Sequence, residues 1–196
     1  LGRSGEIVLP RGKIPFANEF KYLGTWFNIF LDDETDIQKR IQAGGYHYSQ
    51  LKPVLQSFSI PHTMRGLLYC CYMIPILTWG AEHWAGILNL IKPLITFHHN
   101  CLRLMMSISR AKQQAERIRN DTIMRRLKVP EITAYADKRA LTRLGKIGRM
   151  DDARLPRLLL FSWLDGPRKR GGSQTHFGHR ARNLLVDMIT TCVPDN

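Results

Sequence analysis

The stretch NIFLDDETDIQKRIQ, residues 28–42, is where the hydrophobic period of this chain changes. Up to Phe30 the segment FKYLGTWFNIF (20–30) is dense in aromatic and β-branched side chains and reads as strand. After it come Asp32, Asp33, Glu34 and Asp36, then Ile37, Ile41, Tyr48, Leu51 and Leu55, spaced to line one side of a helix whose acidic first turn complements its dipole. Everything downstream keeps the helical period. The expected fold is therefore mainly α: a helical bundle with a small N-terminal β-hairpin region and a basic helical C-terminal extension.

Working outward, residues 1–31 form the hairpin segment: EIVLP (6–10), a Gly12-Lys13 turn and the strands before Phe30 make one or two hairpins. Residues 32–110 form the bundle. Gly44-Gly45 weakens its first helix and Pro53 kinks its end. Ser59 as N-cap and Pro61 just inside predict a second helix from Ile60 to Trp79, apolar nearly all round and central to the bundle. Its uncharged run, residues 66–81, contains Pro75 and falls short of the roughly 20 residues a membrane span needs. A third helix follows Gly86, with Ile87, Leu90, Ile91, Leu94, His98, Cys101, Leu102 and Met105 at three-and-four spacing. Residues 111–196 form a basic connector with predicted helices over Gln113–Lys128, Glu131–Met150, Leu155–Leu164 and His179–Cys192, and a Gly/Arg-rich loop at 165–178.

Charge is the strongest global signal. The 196 residues hold 29 Lys+Arg against 16 Asp+Glu, a net charge of +13. Residues 103–182 carry 20 basic and 7 acidic side chains, so the whole surplus sits in one block. Such a block fits a polyanionic partner, with a solvated basic surface as the plain alternative. Cys70, Cys71, Cys101 and Cys192 lie in apolar helical patterns, which reads as a reduced, intracellular chain without a disulfide framework. The chain opens on Leu with no secretory leader pattern, and reads as a fragment or the mature remainder of something longer.

Phe30-Leu31-Asp32-Asp33 invites comparison with a polymerase aspartate pair, which holds two metal ions and needs a third carboxylate on a neighbouring strand. Only Glu6 and Glu19 precede the pair, and DDETDIQKRI runs into a helix, so Asp32 and Asp33 read as turn and helix-start residues. His98-His99-x-Cys101 and His176-x-x-His179 lack the paired cysteines a zinc site would use, so His98 and Cys101 read as packing residues. No nucleophile elbow and no glycine-rich nucleotide loop occurs. Catalytic residues, metal and cofactor are thus all expected to be none.

The residues before the pair carry a different likeness. FKYLG (20–24) resembles the primer-grip strand of non-LTR retrotransposon (LINE-like) reverse transcriptases. DIQKRIQAG (36–44) looks like that family's first thumb helix, YCCYMIPILTWGAEHW (69–84) like its apolar helix ending in Y-G-x-E-x-W, and FHHNCLRLMMSI (97–108) like its F-x-x-x-C-L-R helix. LGKIGRMDDARLPRLLL (144–160) and GPRKRGG (166–172) follow in the same order. Thr78, and Lys146-Ile147 in place of His-Val, depart from the pattern. The resemblance implies a thumb and post-thumb region of an RNA-directed DNA polymerase, without the metal carboxylates that precede the grip. It also implies RNA or an RNA–DNA duplex as partner, in the nucleus or an organelle such as the mitochondrion.

The residues themselves point the same way. Arg139, Arg143 and Lys146 share one helical face beside an apolar stripe of Ala136, Ala140, Leu144 and Ile147, so one face docks while the other meets phosphates. Arg149, Arg154 and Arg157 extend that surface, and Arg168, Lys169 and Arg170 add a segment that reads equally as a disordered basic linker. Lys21 is placed to contact phosphate, and Arg40 in the thumb-like helix joins the set. Phe20 and Tyr22 share a face, and either core packing or contact suits Tyr22, with core favoured for Phe20. Two functions stay open: a nucleic-acid-binding module, or a domesticated remnant serving as a structural, RNA-contacting subunit of a large ribonucleoprotein, such as an organellar ribosome, with protein neighbours and no membrane.

Overall fold

Strand period and helix period separate in space as they do along the chain. A computed structural model describes residues 6–9, 12–30, 32–84, 88–161 and 177–192. β1 (Glu6–Leu9) pairs antiparallel with β2 (Gly12–Pro15), and β3 (Glu19–Tyr22) with β4 (Thr25–Asn28). The second hairpin turns on Leu23-Gly24, both at positive φ (47° and 87°), the two-residue turn whose twist suits paired strands. Phe20 lies opposite Phe27 and Lys21 opposite Trp26.

The helices follow: α1 (Glu34–Leu55), α2 (His62–Leu77), a 3-10 turn (Ala81–His83), α3 (Leu88–Met105), α4 (Arg110–Ala115), α5 (Asn120–Leu127), α6 (Ile132–Gly148), α7 (Leu155–Phe161) and α8 (Phe177–Cys192). The mainly helical fold with an N-terminal hairpin region is as the sequence predicts. Ile37, Tyr48 and Leu55 of α1 are buried against Tyr69, Met73 and Leu77 of α2 and Leu94, Leu102 and Met105 of α3.

Gly44-Gly45 does not interrupt α1. A Cβ at Gly44 would stand 2.5 Å from Leu77 Cδ2 and 3.1 Å from Phe97, so its missing side chain is what lets the three helices approach. Pro53 is accommodated in the last turn of α1.

Two expectations about α2 change. It begins after Pro61, and Ser59 hydrogen-bonds Ser57 (2.7 Å) instead of capping the helix. It is also half exposed: Arg65, Gly66, Tyr69, Met73, Ile74 and Leu77 face the core, whereas Met64, Leu67 and Tyr72 face outward. Buried Arg65 donates to the Met105 carbonyl (2.5 Å) and contacts His62 Nδ1, so its charge lies at the carbonyl end of α3.

The single helix expected over Gln113–Lys128 is two. Arg117 takes φ 49° between α4 and α5, and the Gln113 side chain bridges the corner by donating to Ile118 O (3.2 Å) and Asn120 Oδ1 (2.9 Å). Glu131 caps α6 by accepting from Ile132 N. The predicted continuation of α7 to Leu164 and the loop up to residue 176 lie outside the described residues; Phe177 already belongs to α8. No helix among the described residues is long and apolar enough to cross a membrane.

His98 and Cys101 are packing residues of α3, as their spacing suggested. His98 is fully buried, and its Nδ1 pairs with the Tyr69 hydroxyl (3.0 Å). Burial pushes its pKa down to about 4, with His99 adding to the shift and Glu131 opposing it. The unfolded chain takes up this proton near pH 6.5 and the folded chain does not, so stability falls as pH drops from about 6.5 toward 4. About 2 kcal/mol is lost from this group by pH 5. Urea midpoints against pH should show it, and His98→Gln should remove that part of the slope; an identical slope in the variant would assign the loss elsewhere.

Candidate nucleic-acid interface

Helix α6 docks through Ile132, Ala136, Ala140 and Ile147, all buried, with Leu144 half-buried beside them. Small side chains on that stripe let the helix sit close, and Arg139, Arg143 and Lys146, each one residue before Ala140, Leu144 and Ile147, line the flank beside it. These three cations share the wall of a groove with Lys138 and Thr142, and the opposite wall is α2 through Cys70, Ile74 and Pro75, with Thr78 just past its end. The groove has a volume of about 420 Å³.

Within the groove the cations differ. Arg139 Nε donates to Glu82 Oε2 at 2.9 Å, fastening α6 to the 3-10 turn. Burial works to raise the Glu82 carboxyl, but the Arg139 hydrogen bond and charge outweigh it and hold it below its ordinary value. Arg143 and Lys146 are exposed and, among the described residues, have no acidic partner. Tyr135 lies on the floor, its hydroxyl donating to Cys70 Sγ at 3.2 Å.

The extension beyond α6 divides in the same way. Arg149 and Arg154 are exposed. Arg157 instead donates to the carbonyls of Gly148 (2.6 Å) and Met150 (2.8 Å) and meets Asp152 (2.7 Å), closing the end of α6. It serves the fold, and its guanidinium is not presented outward as expected. Arg168, Lys169 and Arg170 lie outside the described residues.

Arg40 is likewise turned inward, which corrects its place in the contact set. Its guanidinium donates to Asp36 Oδ1 (2.9 Å) and to the Gly24 carbonyl. Asp36, one of the acidic residues after Phe30, is buried and also accepts from Trp26 N and Trp84 Nε1, each at 3.0 Å. Asp32 accepts from Asn28 Nδ2 (2.7 Å) and Glu34 N (3.1 Å), a turn role, and Asp33 occupies the N-cap position of α1.

The hairpin reverses one expectation. Phe20 and Tyr22 share a face, yet both are more than half exposed, with Phe20 stacked on Phe27 at 5.4 Å. Core packing is thus not their role. Lys21 is exposed, 5.9 Å from the Trp26 ring, whose nearer cation is Lys39 at 4.6 Å.

Sequence reasoning missed Lys138, Thr142 and the Tyr135–Cys70 contact. The first two follow from α6 periodicity once the face is chosen, but the pairing with α2 has no local signal. It also missed Arg180 on α8, buried and donating to the carbonyls of Ala81 (3.2 Å) and Trp84 (2.5 Å) and to Asp137 (3.0 Å). Among the described residues no group of three His, Cys, Asp or Glu side chains could hold a metal ion. No family model matches the chain, and neither a curated protein nor a solved structure shows a significant match.

Proposed function

We propose that these 196 residues form a non-catalytic nucleic-acid-binding module of LINE-like reverse-transcriptase origin, gripping RNA or an RNA–DNA duplex by its phosphates. The observation that carries this reading is the α6 wall. Arg143 and Lys146 stand exposed on it without an acidic partner among the described residues, next to an Arg139 already anchored by Glu82. Unneutralised cations held on a packed helix repel one another and are relieved by an anion, with release of its counterions. Support for the origin comes from the six collinear segments, four of which begin in or span β3, α1, α2 and α3. The segment contributes contact; chemistry is assigned to none of its residues.

Binding should be salt-sensitive and weakly selective for sequence. The Arg143→Gln/Lys146→Gln variant should lower the slope of log affinity against log salt by about 2 on a duplex, at roughly 0.9 per phosphate contact. Arg139, engaged with Glu82, should matter less. Fluorescence anisotropy on an RNA–DNA hybrid reads this directly, and an unchanged slope would take α6 out of the interface.

One observation favours the second reading, a structural RNA-contacting subunit of a large ribonucleoprotein in the nucleus or an organelle. Met64, Leu67 and Tyr72 leave an apolar stripe outward on α2, suited to a protein neighbour. Stable co-sedimentation of the native protein with a large ribonucleoprotein would select it; recovery only in small, exchangeable complexes would exclude it.

A further inference from the structure

The strongest charge that the α6 reading leaves unused lies on the α4–α5 corner. Arg110, Arg117, Arg125, Arg126 and Lys128 are all exposed and, among the described residues, have no acidic partner. The acids nearby are engaged: Glu116 with Lys112 (3.9 Å), Asp121 with Arg119 (3.3 Å) and Glu131 with His99 (2.8 Å).

Backbone conformation supplies a second, independent observation. Arg117, just past α4, and Lys128, closing α5, adopt φ 49° and 55°. Helices that end in this left-handed region favour glycine, and a long side chain is strained there. Among the described residues, two of the four non-glycine residues at positive φ are therefore cations at this corner. A turn that served the fold alone would be better made by glycine, so the cationic side chains point to a role beyond it.

The corner is also held rigid without help from these cations. Gln113 bridges to Ile118 and Asn120, and Asn120 Nδ2 meets His99 Nδ1 of α3 at 3.1 Å. Phosphate would meet a backbone already in place, so the ordering that opposes contact is confined to the side chains.

We propose that the α4–α5 corner is a second phosphate-contact surface for the nucleic acid bound along α6. The inference rests on the nucleic-acid reading of α6. Lys128 leads through Val129 and Pro130 into α6, and Arg143 and Lys146 lie about 20 Å beyond that helix's start at 1.5 Å per residue. That distance is less than one helical turn of a duplex.

The test uses an RNA–DNA duplex of about 16 base pairs, long enough to cover both surfaces. Affinity is measured across a salt series for wild type, Arg117→Gly/Lys128→Gly, Arg125→Gln/Arg126→Gln and Arg143→Gln/Lys146→Gln, with a urea midpoint for each. The glycine variant should unfold at the same or higher urea and yet lose about tenfold or more in affinity near 0.1 M salt, its slope falling by about 2. Arg125→Gln/Arg126→Gln, which leaves the backbone alone, should show the same loss. If neither corner variant changes slope while the α6 variant does, the second surface is refuted and α6 stands. If no variant changes it, both readings fail. A lower urea midpoint for the glycine variant overturns the strain argument, and equally tight, salt-sensitive binding to poly-L-glutamate would reassign the corner to an acidic protein.

Discussion

Gly66→Ala should be the most damaging single methyl in the bundle, with an expected loss of about 4 kcal/mol in urea unfolding. A Cβ at Gly66 would fall 1.9 Å from the Leu127 carbonyl oxygen and 2.9 Å from its carbon. Those are backbone atoms at the end of α5, next to Lys128 in its left-handed conformation, so no rotamer change relieves the overlap. Either α5 moves off α2 or the turn after it is rebuilt, and both uncover Ile123, Leu127 and Val129. Gly45→Ala is the internal control. Nothing lies within 4 Å of its Cβ position, and alanine should stabilise α1 by about 0.5–1 kcal/mol. Equal midpoints for the two variants would show that the α2–α5 contact is looser than described.

Asp36→Ala comes next, at about 3–5 kcal/mol. The carboxylate joins the hairpin, α1 and Trp84 through three donors, and its removal leaves the Arg40 guanidinium nearly enclosed without a counter-charge. The loss comes mainly from the stranded partner. Asp36→Ala/Arg40→Met should therefore recover stability relative to Asp36→Ala alone. Tryptophan fluorescence during urea unfolding gives both values, since Trp26 and Trp84 bracket the site; a double variant weaker than the single would contradict this account.

What the residues revealed in advance follows from the range of each interaction. Helices α1, α3 and α6 were legible because their apolar stripes repeat at three and four, a local property. So was the α6 cation row, which flanks the Ala136, Ala140 and Ile147 stripe at the same three-and-four spacing. Whether a given arginine faces in or out was not legible. Arg40, Arg157 and Arg180 are drawn inward by carbonyls at Gly24, Met150 and Trp84, acceptors that folding alone brings near. Arg143 meets no such acceptor among the described residues and is exposed. The pairing of Phe20 with Tyr22 on one face was sound, but burial was assumed for two side chains that the fold leaves more than half exposed. The break at Arg117 escaped because helix propensity through 113–128 is high and the Gln113 bridge that closes the corner is one side chain.

The uncovered aromatic end of the molecule sets its colloidal behaviour. Phe16, Phe20, Tyr22, Leu23, Ile29 and Phe30 are all more than half exposed, at one end of a chain whose net charge is +13. In dilute buffer mutual repulsion between copies keeps those rings apart. Near 1 M salt the screening length shrinks to about 3 Å, and the hairpins become free to stick to one another. Salt should thus promote self-association of the hairpin ends by weakening the same long-range charge on which the proposed phosphate contact depends.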